Sequence, residues 1–297
     1  MAYLMTHFIG EQKNGEQVYF AVSKDGLHWK DLSNKPILTS SLGEEGVRDP
    51  FIIKCPKTNK YFIIATDLRI EKGLGWQVAQ YSGSKSLIIW ESFDLTNWSE
   101  PRMCEVADEL AGCAWAPESI YDEEKEAFFV FWASMVKLDG DEVAKQRIYG
   151  SYTTDFRTFS DPFIYAVAKN HLIDMNIVYE DGWYYRFVKD ETTKLVKMDK
   201  VESLQDSEPI DIYVDALEDQ IVEGPQTYQL PDGRWCLIVD RFAEDKGYLP
   251  FICDDLKTGK FSVVSDEDYD FGHLKKRHGS VIKITDDELD ALEQFFS

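Results

Sequence analysis

Cysteine is scarce in this sequence, and what there is does not form a scaffold. The five residues Cys55, Cys104, Cys113, Cys236 and Cys253 are odd in number and lack metal-ligand spacing, which argues against a disulfide framework or a cysteine metal site. They are expected to be reduced and mostly buried, as small hydrophobes. Long apolar runs are absent too: residues 1–8 show neither a basic leader nor an apolar segment long enough for a signal or a membrane span. The expected location is cytoplasmic as the sequence stands, or extracellular if a leader was trimmed. Positive charge is in short supply, with 32 Lys and Arg against 54 Asp and Glu and a formal charge of -22. Such a surface repels nucleic acid and anionic membranes but carries no penalty for a neutral ligand. Helical periodicity is confined to residues 286–296, where acids fill the first turn; this is the only helix expected. No linker or low-complexity tract divides the 297 residues, so one domain over 1–297 is expected, large enough to bury a full core.

What is present is repetition. Short apolar runs aligned on Pro50, Pro117, Met175, Pro225 and Gly279 recur at spacings of 67, 58, 50 and 54 residues. Each of the first four is followed by a turn rich in Asp, Asn, Gly or Lys and then a second aromatic and β-branched run, at residues 61–65, 128–132, 183–187 and 235–239, which is a hairpin signal. An Asp followed four residues later by an aromatic recurs at Asp25 and Trp29, Asp94 and Trp98, and Asp155 and Phe159, with a looser copy at Asp255. Its simplest role is structural, with the carboxylate closing a turn and the ring packing between sheets.

A repeat whose unit is a whole small sheet indicates a β-propeller. Five inner strands give an all-β, five-bladed β-propeller. The chain ends too soon after residues 278–284 to finish a fifth blade, so the N-terminal strands at residues 3–9 and 18–22 are expected to complete it.

Four of the inner runs carry an acid at or near their start: Asp49, Glu118, Asp174 and Glu223. Inner strands surround one channel, so acids at their starts gather at one end of it. Mutual repulsion and partial burial then spread their pKa values, which is how one carboxyl stays protonated while another stays ionised. Concentrated carboxylates of this kind suit cleavage of glycosidic bonds.

The segments Arg48-Asp49-Pro50, Trp115-Ala116-Pro117-Glu118, Ile173-Asp174, Val222-Glu223-Gly224-Pro225 and Arg277-His278-Gly279-Ser280, in this order and at blade spacing, resemble the family 43-type glycoside hydrolases over essentially the whole chain. The resemblance implies an inverting glycoside hydrolase acting on arabinofuranosyl, xylosyl or related galactofuranosyl residues of plant or microbial polysaccharides or oligosaccharides. It implies Asp49 as general base, Glu223 as general acid and Asp174 as the residue that orients the acid and raises its pKa. Met175 and Asn176 depart from the Asp-Pro or Asp-Thr continuation that the family leads one to expect, which puts neighbouring substrate contacts in question more than the carboxylate.

The candidate substrate-binding residues are Arg48, Phe51, Trp115, Glu118, Arg186, Arg241 and His278. Glu118 is read as the second-blade counterpart of the other acids, with a structural or a sugar-binding role; Trp115 either stacks on a sugar face or lines the channel. The arginines either bind sugar hydroxyls or hold an acid ionised. No cofactor is required, and the family resemblance allows a calcium ion in the channel with His278 beside it. A carbohydrate is the expected partner, with oligomeric state unassigned. A retaining fructosidase is disfavoured, because residues 1–47 hold no Asn-Asp-Pro motif and Gly224 rather than Cys follows Glu223. A noncatalytic sugar-binding propeller stays open.

Overall fold

The aromatic and β-branched runs form hairpins, and the hairpins form sheets. In the computed structural model, which describes residues 1–205 and 208–296, there are five four-stranded antiparallel sheets. Their innermost strands are Val47–Lys54, Trp115–Asp122, Leu172–Glu180, Glu223–Gln229 and Arg277–Ile284, here blades 1 to 5. Each inner strand lies beside the next, and the fifth lies beside the first, so the ring closes. Blade 5 joins the C-terminal inner strand to Ala2–Phe8, Tyr19–Ser23 and Trp29–Asp31. Its seam with blade 1 is stitched by polar bonds: Ser280 Oγ accepts the Ile52 N–H at 2.7 Å and Thr6 Oγ1 donates to the Pro50 carbonyl at 2.8 Å.

The core divides by seam. Five apolar clusters lie between neighbouring blades, one for each contact around the ring. The helix Asp286–Phe296 covers the seam between blades 5 and 1, burying Leu289 and Leu292. The repeated Asp turns are structural, as expected: Asp25, Asp94 and Asp155 each accept two backbone N–H groups through Oδ1. The Trp29 and Trp98 indoles fold back to donate to Gly26 and Leu95 carbonyls.

Among the described residues the one α-helix expected from the sequence becomes two. A seven-residue helix, Trp76–Ser82, stands in the loop between the second and third strands of blade 1. It is too short to show a period, and Gly75 precedes it without a side-chain cap, so it carries no sequence signal for a helix start.

All five inner strands share one irregularity, and it sets the site. Between Arg48 and Phe51, Trp115 and Glu118, Ile173 and Asn176, Glu223 and Gln226, and Arg277 and Ser280, the inner strand holds one residue more than its partner. These are β-bulges, which twist a strand and re-aim its side chains. Aligned on them, the chain reads in tiers. The first is Arg48, Trp115, Ile173, Glu223 and Arg277; the second is Asp49, Ala116, Asp174, Gly224 and His278. In the second tier Asp49, Ala116, Asp174 and Gly224 adopt left-handed backbone, with φ of 51, 47, 52 and 52°. Asp and Gly tolerate that region.

Candidate active site

The second tier brings Asp49, Asp174 and His278 together. His278 Nδ1 faces Asp49 Oδ1 at 3.4 Å and Asp174 Oδ1 at 3.7 Å. The arrangement depends on Gly224, because a Cβ there would stand 2.7 Å from the imidazole. Gly224 also donates its N–H to Asp174 Oδ2 at 3.1 Å. Asp49 is anchored on its other oxygen by Thr66 Oγ1 at 2.8 Å, and Thr66 in turn accepts the N–H of Ala116 at 2.8 Å. The Asp49 side chain keeps 12% of its surface exposed, enough for a ligand to reach. Burial pushes the Asp174 carboxyl up to about 6, against the opposing charges of His278 and Lys189.

Glu223 belongs to the first tier, where its neighbours are cations. Lys189 Nζ lies 2.8 Å from Oε2, and Arg277 donates to Oε1 at 2.9 Å. Burial favours the neutral acid, but these two charges outweigh it and hold the carboxyl down at about 2. The pairing extends along the mouth: Lys189 also meets Glu191 at 2.6 Å, and Arg277 meets Asp240 at 2.5 Å and Glu11 at 3.6 Å. Glu11 continues to Arg48 at 2.6 Å, and Arg48 to Glu16 at 3.0 Å. Charge of alternating sign thus runs from Glu16 to Glu191 through Glu223. Burial raises Asp240 to about 6, in spite of Arg277.

The remaining sequence candidates separate. Arg48 is at the mouth but buried, its guanidinium 4.5 Å from the Phe8 ring centroid and 5.1 Å from that of Trp76. Trp115 is there too, edge-on to Trp76 with centroids 6.0 Å apart. Four assignments are corrected. Glu118 is not the counterpart of Asp49; it sits two bulge positions deeper, buried, bonded to Asn176 Nδ2 at 2.7 Å, and burial pushes its carboxyl well above the usual range. Phe51 packs in the apolar seam between blades 1 and 2, because its place beyond the bulge turns it away from the acids. Arg186 makes a two-pronged pair with Asp199 at 2.6 and 3.0 Å and lies over Tyr165, between blades 2 and 3. Arg241 donates to the carbonyls of Gly247 and Tyr248, so it shapes its own loop and touches no acid of the cluster.

Sequence reading missed Lys189, Asp240, Glu11, Glu16 and Trp76. Lys189 and Asp240 pair in register with Ile173 and Glu223, so they occupy equivalent places on second strands, a relation that needs the bulge alignment to be seen. Arg277 carried a signal, since it aligns with Arg48. Among the described residues no group of three or more His, Cys, Asp or Glu side chains is arranged to hold an ion directly.

A family model described as a probable glycosyl hydrolase domain related to family 43 matches residues 1–290. An α-L-arabinofuranosidase of Bifidobacterium longum subsp. longum is 29% identical over 209 residues, which is 64% of this chain and 19% of that protein. The chain therefore spans about a fifth of the curated relative's length. Among solved structures, a family 43 β-1,3-galactosidase with galactodeoxynojirimycin has a TM-score of 0.60 at 11% identity, over 88% of this chain and 89% of that one. A family 43 protein of Bacillus licheniformis has a TM-score of 0.56 at 16% identity, over 84% and 46%. At these identities the structural likeness speaks to the fold alone. The model match over nearly the whole chain, on a five-bladed propeller with its acids at one mouth, establishes membership: this chain belongs to the family 43-related glycosyl hydrolase domains.

Proposed function

We propose that the protein hydrolyses glycosidic bonds with inversion, releasing arabinofuranosyl residues from plant or microbial oligosaccharides or polysaccharides, with xylosyl and galactofuranosyl residues as the alternatives. The observation that carries this reading is the convergence of Asp49, Asp174 and His278 beside the Glu223 strand start. Asp49, oriented by Thr66, is the general base that takes a proton from water. Glu223 protonates the leaving oxygen, and Asp174 orients that acid and raises its pKa. Inversion requires a base and an acid roughly 6.5–9.5 Å apart, so that water and sugar fit between them. Lys189 and Arg277 hold Glu223 ionised, so a leaving group that draws Lys189 away is what lets Glu223 take up its proton. The named activity of the Bifidobacterium relative favours arabinofuranose.

The ionised Glu223 also favours a second reading, a propeller that binds sugar without turnover. A screen of aryl furanosides and pyranosides, with the product anomer followed by NMR, separates the two. Release of the inverted sugar supports hydrolysis; retention overturns the assignment of roles, and binding without release across the panel establishes the second reading.

A further inference from the structure

We propose that Asp240 is a positioning residue for proton transfer to the leaving group: it aims the Arg277 guanidinium at Glu223 and, as an anion, draws part of that cation's charge away from the acid. The inference rests on the hydrolytic reading above. Asp240 ends the second strand of blade 4, Trp235–Asp240, directly in register with Glu223 on the inner strand. Its side chain is fully buried, so it acts through what it holds rather than on a sugar.

The aim follows from the three nitrogens of Arg277. Nε donates to Asp240 Oδ2 at 2.5 Å, Nη2 donates to Glu223 Oε1 at 2.9 Å, and Nη1 faces Glu11 Oε2 at 3.6 Å. The Phe8 ring closes one face, its centroid 5.5 Å from Cζ. A guanidinium presents its donors in a rigid fork, so the bond at Nε sets the direction of Nη2. Two carboxylates on one cation then divide its charge.

The competition follows from burial. Among the described residues Asp240 Oδ1 meets no donor, which is unfavourable for a buried carboxylate and leaves the anion leaning on Arg277. The groups around it are Glu223 on the inner strand, Tyr248 in register on the third strand, and Arg277 and His278 on the inner strand of blade 5. Lys189 and Glu11 stand one contact further out, through Glu223 and Arg277. Burial raises the Asp240 carboxyl to about 6, in spite of Arg277. Below that pH a neutral Asp240 leaves the charge of Arg277 to Glu223. Above it the anion competes for the cation and repels Glu223, which then takes up a proton more readily. The influence is mutual, because interacting sites titrate as a pair.

An NMR titration of protein labelled with 15N in arginine and 13C at the glutamate carboxyls tests this without turnover. In wild type the Arg277 Nε and Glu223 carboxyl signals should each step near pH 6. Asp240→Asn keeps the size and an acceptor for Nε but removes the charge. It should abolish the step at Arg277 and leave at Glu223 only the part due to Asp174, which also titrates near 6. Should the variant not fold, the wild-type step at Arg277 decides. In kinetics above that pH, Asp240→Asn should lower kcat/KM about tenfold on methyl α-L-arabinofuranoside, the loss that follows if removing the anion lowers the Glu223 pKa by about one unit. With 4-nitrophenyl α-L-arabinofuranoside, whose leaving group needs little help from an acid, the change should stay within about twofold. Equal losses on both substrates, or an Arg277 signal that does not move near pH 6, overturn the proposal. If wild type shows both steps and cleaves neither substrate, Asp240 retains its control of Arg277 and the hydrolytic reading falls.

Discussion

The Lys189 ammonium stands 2.8 Å from Glu223 Oε2, and with Arg277 it holds the proposed acid as an anion. Lys189→Met removes the nearer charge without removing bulk. The Glu223 pKa then rises from about 2, read from its side-chain carboxyl by 13C NMR, and the pH range of activity moves upward by a unit or more. An unchanged carboxyl titration takes Lys189 out of control of the acid.

Asp49→Asn and Glu223→Gln should each lower turnover by about 10²- to 10⁴-fold, the usual worth of one positioned proton-transfer group. The fold should survive in both. Asn tolerates the left-handed backbone that Asp49 adopts at φ 51°, so circular dichroism and melting should stay near wild type. Near-normal turnover in either variant removes that residue from its role.

Gly224→Ala tests the tier itself. The added methyl would lie 2.7 Å from the His278 ring at a φ of 52°, so the imidazole must leave the two aspartates. A loss of about 1–3 kcal/mol in unfolding free energy is expected from strain of this kind, together with loss of activity. A variant with wild-type melting and activity would show that His278 has room to spare.

Stability should fall as pH rises across the neutral range. Asp174 and Asp240 both have folded pKa values raised to about 6, above the ~3.9 of an unfolded Asp. The folded chain therefore binds more protons between these values. Its advantage is full below about 4 and is lost as pH rises through 6. Glu118, raised by burial, acts in the same sense, whereas the depressed imidazole of buried His7 opposes it as pH rises toward 6.5 and Glu223 opposes it where pH falls from about 4.3 toward 2. Tm should drop by several degrees from pH 5 to pH 7.5, and Asp174→Asn should flatten the slope. An equal slope in that variant would assign the effect to general charge repulsion.

The alignment on Pro50, Pro117, Met175, Pro225 and Gly279 is the frame that the five bulges share, so blade number and inner strands were legible from apolar runs and turn residues. Asp49 and Asp174 were legible as a pair for the same reason. Glu118 was misread because proximity to a strand start was taken for equivalence, and a bulge shifts the facing of everything beyond it. Phe51 was lost to the seam by the same shift. Arg186 and Arg241 show the limit for charged residues: an arginine satisfied by Asp199 or by its own loop carbonyls looks, in sequence, like one waiting for substrate.

Residue order alone fixes the local matters: period-2 runs, the turns between them, the Asp turns that bind their own backbone, and five units enough to close a ring. Those rest on contacts between residues near in the chain, so the order of residues records them. Which charges meet is set by the folded ring. Lys189, Glu223 and Arg277 come from three different blades, and their separation is set by ring closure and bulge register rather than by spacing along the chain. That is why the acids were visible in the sequence, while the cations that govern the protonation of Glu223 were not.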